Sequence, residues 1–347
     1  MRACAPGKII LSGEHSVVYG AQAVAVAVRK HTVVSFRPLS ESKTINTLFS
    51  GISSGVHYPL NALGSLKKKL DSRFEDFLQG QLPIQQILNN PDDLLIYTLS
   101  SLLHHLPVPG RASSQSYLPM PGRLSSHSDL PPGAGMGSSA SAIAATLVLY
   151  EHLLEKPLSI DQRFEMVRFC ERLQHGRGSA IDAAAVTYGG MNHIQNQQVR
   201  KLDISLGPGW YWVFTGKPMV STGECVQFVR QTHEADTILW DEFSGITEQL
   251  IHEIAAHHAV IELIRENHQL LKRIGVVPCS ASRFIERIER AGGAAKISGA
   301  GAHKGDAAGL VLAYWPDGNF SELMTEYPGY RWGSVEEDFQ GARYIGD

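Results

Sequence analysis

Residues 131–141 read Pro-Pro-Gly-Ala-Gly-Met-Gly-Ser-Ser-Ala-Ser, and this stretch constrains the chain more than any other. Glycine at every second position (Gly133, Gly135, Gly137) opens backbone conformations that other residues resist and lets a ligand come close. Two hydroxyl residues follow, Ser138 and Ser139, and then an alanine- and leucine-rich run suited to a helix. Either serine is the expected N-cap. A glycine turn that opens a helix aims backbone N–H groups and the positive end of the helix dipole at one spot. That spot suits phosphate, with the Ser138 hydroxyl placed to reach a magnesium ion on it. Two other phosphate loops do not fit: no lysine precedes Ser138 as a Walker A loop requires, and the spacing is G-x-G-x-G rather than G-x-G-x-x-G. A flexible turn ahead of a buried helix is the plain alternative.

A chain of 347 residues is long for one core, so two domains are expected. A net charge of −3 argues against general nucleic-acid binding or a membrane-surface role. Cys4, Cys170, Cys225 and Cys279 are scattered without a C-x-x-C pair, which points to reduced thiols in a cytosol. The histidines are spread out, and the adjacent pairs His104-His105 and His257-His258 point to different helix faces, so no histidine metal site is expected. Pro6, Gly7 and Lys8 interrupt the apolar start, so no signal peptide is expected. No apolar run approaches a membrane span.

Ala3–Ala5 predicts a short strand broken at Pro6-Gly7, with a second from Lys8 to Ser12. Ala23–Val28 and Thr32–Phe36 predict two paired strands. Residues 61–77 and 91–105 predict helices, and 107–127 a loop with at most one strand. Ser159 and Gln162 form a capping-box pattern for a helix reaching about His175. On it, Glu171 shares the edge of the apolar stripe and needs a partner, either an arginine or a cation. Asp182 stands alone among alanines after the turn Gly176-Arg177-Gly178-Ser179, as a cap or a catalytic base would. Tyr211–Thr215 predicts a strand followed by a loop over 216–223. Residues 234–273 predict two helices, 280–291 another, and 295–298 and 310–314 strands around a second glycine loop, 299–305. The polar stretch 192–203 places a domain boundary near 195–208.

Three motifs then stand in order: Ala-Pro-Gly-Lys…Gly-Glu-His-Ser-Val-Val-Tyr-Gly (5–20), the 131–141 loop, and Lys-Ile-Ser-Gly-Ala-Gly (296–301). Together they resemble the three signatures of the GHMP kinases, the first motif being most similar to that of the mevalonate kinase family. The resemblance spans the chain. It implies an α+β fold of two GHMP kinase domains, 1–200 and 201–347, with the last residues free to return to the first. The first would hold a left-handed β-α-β unit and the second a ferredoxin-like α/β sandwich. It implies an ATP- and magnesium-dependent cytoplasmic enzyme that phosphorylates the C5 hydroxyl of mevalonate, and it leaves a homodimer open. By position, Pro132, Gly133, Ala134, Gly135, Met136, Gly137, Ser138 and Ser139 match the ATP loop. Ser138 and Glu171 match magnesium ligands, Asp182 the catalytic base and Lys8 its neighbour. Glu14, His15, Thr222, Gly299, Ala300 and Gly301 match acceptor-side residues. The sequence departs from the family at 177–180, at 302–306 and in the 216–222 loop, which has no arginine. A phosphorylated or different small-alcohol acceptor therefore stays open, as does, further off, a diphosphomevalonate decarboxylase type or a ligand sensor.

Overall fold

The computed structural model describes residues 1–49, 55–105 and 120–346; the expected loop at 107–119 lies outside them. The first half of the chain runs β1 (Arg2–Ser12), β2 (Ala23–Pro38), β3 (Thr44–Phe49), β4 (His57–Pro59), α1 (Leu63–Leu78), α2 (Asp93–His105), β5 (Gly122–Ser128), α3 (Ser138–Leu153), α4 (Ile160–His175), α5 (Ala180–Tyr188), β6 (Met191–Gln195) and β7 (Gln198–Leu202). The second runs β8 (Trp210–Phe214), α6 (Thr222–His233), α7 (Thr237–Ala255), α8 (Ile261–Arg273), α9 (Cys279–Arg290), β9 (Ala294–Ile297), β10 (Leu310–Tyr314), α10 (Phe320–Met324), β11 (Arg331–Ser334) and β12 (Arg343–Gly346).

The eight-stranded sheet follows the order β12-β1-β2-β5-β3-β4, with β6 and β7 branching from β2. Among the described residues its one parallel pair, β3 with β5, is joined by a connection that includes α1 and α2. The four-stranded sheet is antiparallel in the order β11-β8-β10-β9. Numbered along the chain, that order is 4-1-3-2 with helices in both crossovers, the β-α-β-β-α-β ferredoxin-like arrangement.

The expected pairs of short strands at the N-terminus are two long ones. β1 runs unbroken through Pro6-Gly7, and β2 through Arg29 and Lys30, because the pair shifts register there: Pro6 faces His31 while Gly7 faces Val28. This bulge bends both strands and moves the apolar set to the other parity. Ala3 and Ala5, then Ile10, face the helical core, while Ile9 and Leu11 face the opposite side. Gly7 is required because a Cβ there would lie 2.3 Å from Leu130 Cδ2 and 3.0 Å from Met136 O. The sequence punctuation at 6–7 therefore makes room for the incoming loop rather than ending a strand.

Both sheets are buried on two faces. α1 to α5 cover one side of the large sheet. Its other side packs Ile9, Leu11, Val24 and Val26 against Trp210, Trp212, Leu310 and Leu312 of the small sheet. α3 is buried almost all round, as a central helix must be when its residues are mostly Ala, Ser and Leu. A further difference is α6: Thr222 starts a helix whose capping box is Ser221 and Glu224.

After β11 the chain leaves the small sheet and returns to the edge of the large one. Asp338 fixes this tail. It is buried and accepts from His31 Nε2 at 2.6 Å, Arg343 Nη1 at 2.9 Å and the N–H groups of Gln340 and Gly341 at 2.9 Å. Burial alone would raise its pKa; the hydrogen bonds from His31, Arg343 and the two amides outweigh it and hold the carboxyl far below the usual range. A depressed carboxylate stabilises the fold above its unfolded pKa and loses that effect as pH falls through the folded one. Asp338→Asn is expected to cost about 2 kcal/mol at neutral pH. The gap to the wild type should narrow as pH drops from about 5 to about 3, read from urea midpoints at each pH.

Candidate active site

The glycine loop turns at three positive φ values, +72° at Gly133, +78° at Gly135 and +73° at Gly137. The helix begins directly after the last of them. Gly137 is therefore the N-cap of α3, in place of the expected Ser138 or Ser139, because the left-handed backbone needed there admits no other residue cheaply. Ser138 and Ser139 become the first two helical residues, in the turn where free N–H groups and the dipole's positive end lie. Ser141 Oγ donates to Ala5 O at 2.8 Å and ties this end of the helix to β1.

Lys8 N–H donates to Met136 O at 2.9 Å, which hangs the loop on β1 and brings the Lys8 side chain beside it. Lys8 Nζ lies 3.3 Å from Asp182 Oδ1, the lysine 5% and the aspartate 18% exposed. Asp182 sits in the first turn of α5, whose N-cap is Ser179, not Asp182: Ser179 Oγ accepts from Asp182 N–H at 3.2 Å. The carboxylate is thus left for Lys8. A Cβ on Gly137 would lie 3.0 Å from Asp182 Oδ1 and 3.1 Å from Lys8 Cγ, so the helix start, the lysine and the aspartate meet at one point.

Glu171 enters from α4 and is buried. The hydroxyl it meets belongs to Ser139, which donates to Oε1 at 3.2 Å; Ser179 N–H donates to Oε2 at 3.2 Å. The structure does not bring Ser138 Oγ to Glu171, because Ser138, one residue earlier on α3, lies on a different side of the helix. Burial, then the nearby charge of Asp182, raises the Glu171 pKa well above the carboxylate range, with Lys8 pulling the other way. Among the described residues no lysine or arginine pairs with it; His175 Nε2 stands 4.0 Å away. A buried carboxylate next to a hydroxyl, both oxygen donors and without a fixed counter-charge, fits a magnesium ion that takes its other ligands from phosphate and water. His175 belongs to none of the three motifs. It ends α4 with Nε2 3.4 Å from Ser139 Oγ, and its only sequence signal is a histidine preceding a Gly-Arg-Gly turn.

The third motif forms the facing wall. Gly299 and Gly135 are close neighbours: a Cβ on either would come within 3.9 Å of the other segment's carbonyl. Ser298 Oγ accepts from Ile10 N–H at 2.9 Å and donates to Ile10 O at 3.0 Å. His15 Nε2 donates to Ala300 O at 2.9 Å. Burial lowers its pKa to about 4, against the pull of that carbonyl, so the ring is neutral at pH 7. Glu14 is buried in an ion pair with Lys296, whose ammonium also donates to Ile297 O at 2.8 Å. Burial lowers the Lys296 pKa and Glu14 pulls it back up. Lys296, a charge inside an apolar strand, was legible but unassigned. Gly301 turns at φ +63° against Val276. Thr222, by contrast, is exposed at the start of α6, with none of these residues as a hydrogen-bond partner.

Lys296→Met leaves Glu14 buried without its ion-pair partner. It is expected to cost about 3–5 kcal/mol in urea unfolding. Adding Glu14→Gln to it should recover a large part of that loss. A double variant as unstable as the single one would refute the pairing.

Residues 110–190 match the family model described as "GHMP kinases N terminal domain". Over 328 residues the chain is 28% identical to the mevalonate kinase of Archaeoglobus fulgidus, covering 92% of this chain and 95% of that one. It is 24% identical over 330 residues to the mevalonate kinase of Methanocaldococcus jannaschii, covering 92% and 94%. The crystal structure of the Methanococcus jannaschii mevalonate kinase superposes with a TM-score of 0.78 at 20% identity, covering 100% of this chain and 98% of that one. Glycine loop and full-length similarity agree: residues 110–190 match a GHMP kinase N-terminal domain, and along nearly its whole length the chain is mevalonate kinase-like.

Proposed function

We propose that this protein is an ATP-dependent kinase that phosphorylates the C5 hydroxyl of mevalonate, giving 5-phosphomevalonate and ADP. The observation that carries the reading is the meeting of Lys8, Asp182 and Gly137 at the N-terminus of α3. The choice of mevalonate as acceptor rests on the similarity to mevalonate kinases along nearly the whole chain.

In this reading the loop from Pro132 to Ser139 wraps the ATP phosphates with its N–H groups. Asp182 takes the proton of the acceptor hydroxyl as that oxygen attacks the γ-phosphorus and the bond to the β-phosphate oxygen breaks. Lys8 pairs with Asp182 and stabilises charge building on the phosphoryl oxygens. Positioning and charge are what phosphoryl transfer mainly requires. Glu171 with Ser139 would hold magnesium, which supplies charge neutralisation at the phosphates. His15, Glu14 and residues 299–301 shape the acceptor side. The same reading divides the chain at about residue 200 into two kinase domains, with 343–346 returned to the first sheet, and makes ATP and mevalonate its small-molecule partners.

The test is coupled ADP release with magnesium-ATP and, separately, mevalonate, phosphomevalonate and diphosphomevalonate. Turnover is expected with mevalonate alone. Asp182→Asn should lower kcat by at least about 100-fold while leaving ATP binding in place. Turnover with phosphomevalonate only would move the acceptor assignment, and full activity in Asp182→Asn would remove the base from its role.

A further inference from the structure

The turn after β8 lies across the glycine loop. Thr215 N–H donates to Gly309 O at 2.9 Å, and Thr215 Oγ1 donates to the same carbonyl at 3.1 Å. Gly216 turns at φ +121°, and the Pro218 ring rests beside Gly309, which also neighbours Ala134 O. These contacts lay Lys217 along Gly133. A Cβ on Gly133 would be 3.1, 3.4 and 3.7 Å from Lys217 Cγ, Cδ and Cε, so the lysine stem occupies the space that a side chain at 133 would need. Lys217 is exposed, and among the described residues no hydrogen bond or ion pair holds its ammonium. A lysine whose stem is fixed and whose charge is unmatched keeps that charge available to a ligand.

The position along the loop decides which part of a ligand it meets. Lys8 and Asp182 stand at Gly137, where the transferred group must be, and Lys217 stands at Gly133, the other end. We propose that Lys217 holds the non-transferred phosphates of the nucleotide, the part common to ATP and ADP, so that the C-terminal half of the chain closes the phosphate site. This rests on the reading of the loop as a nucleotide site. It gives the 216–219 turn a nucleotide role rather than an acceptor one.

Lys217→Met keeps the stem on Gly133 and removes the charge. By calorimetry, the Kd for magnesium-ADP is expected to rise about tenfold, the loss of one charge-assisted contact. The KM for ATP should rise similarly, with inhibition by adenosine, the KM for mevalonate and the melting temperature unchanged; Lys217→Arg should restore most of the ADP affinity. An unchanged ADP affinity in Lys217→Met would overturn the proposal, as would equal weakening of adenosine (a packing role) or a rise confined to the mevalonate KM (an acceptor role). A wild-type protein that binds no magnesium-ADP would overturn the nucleotide site itself, a result separable from failure of Lys217 alone.

Discussion

A charge pair sealed from water, Glu14 with Lys296, is the constraint on which the arrangement of this site depends. Burying two charges is costly, and only close, well-directed contact offsets the lost hydration. The end of β1 and the strand β9 must therefore stay in one relation to each other. Ser298 reinforces that relation through both backbone groups of Ile10, and His15 does so through Ala300. Since the glycine loop hangs on Lys8 of the same β1, fixing β9 against β1 also fixes the gap between the two glycine segments.

Charge balance explains the rest of the centre. Lys8 pairs with Asp182 at 3.3 Å, and Glu171 lies beyond that pair without a cation of its own. The two acids differ in surroundings. Asp182 is partly open and has the lysine; Glu171 is buried with a hydroxyl and an amide. By themselves they would repel a polyphosphate. The positive end of α3 and cations delivered by neighbouring segments counter that repulsion, which is why helix start and acids lie so close together.

Much of this was legible along the chain. α4 is found from Ser159 and Gln162 because a capping box is a local device, complete within four residues. β10 falls on 310–314 because an apolar run between glycines and a proline has few other outcomes. What the sequence hides is tertiary. Arg29 and Lys30 look like a strand break, yet the sheet carries them through as a bulge. The capping box at Ser221 and Glu224 lies in a stretch whose glycine, proline and serine content reads as loop. In the site, Asp182 stands out as a lone charge among alanines and Glu171 as a carboxylate at the edge of an apolar stripe, whereas the choice between Ser138 and Ser139 depends on which helical residue faces α4. The partner of Glu14 lies 282 residues away and is found only by folding the chain.

The return of β12 to the edge of β1 has a mechanical consequence. The small sheet is attached to the large one by two chain crossings, after β7 and after β11, rather than by a single linker. One crossing is a swivel, free to turn about any axis. Two crossings define a line, so the connections themselves would allow rotation of the sheets only about that line. Parting the two glycine segments about that line would require breaking the Glu14–Lys296 pair and the Ser298 contacts with Ile10.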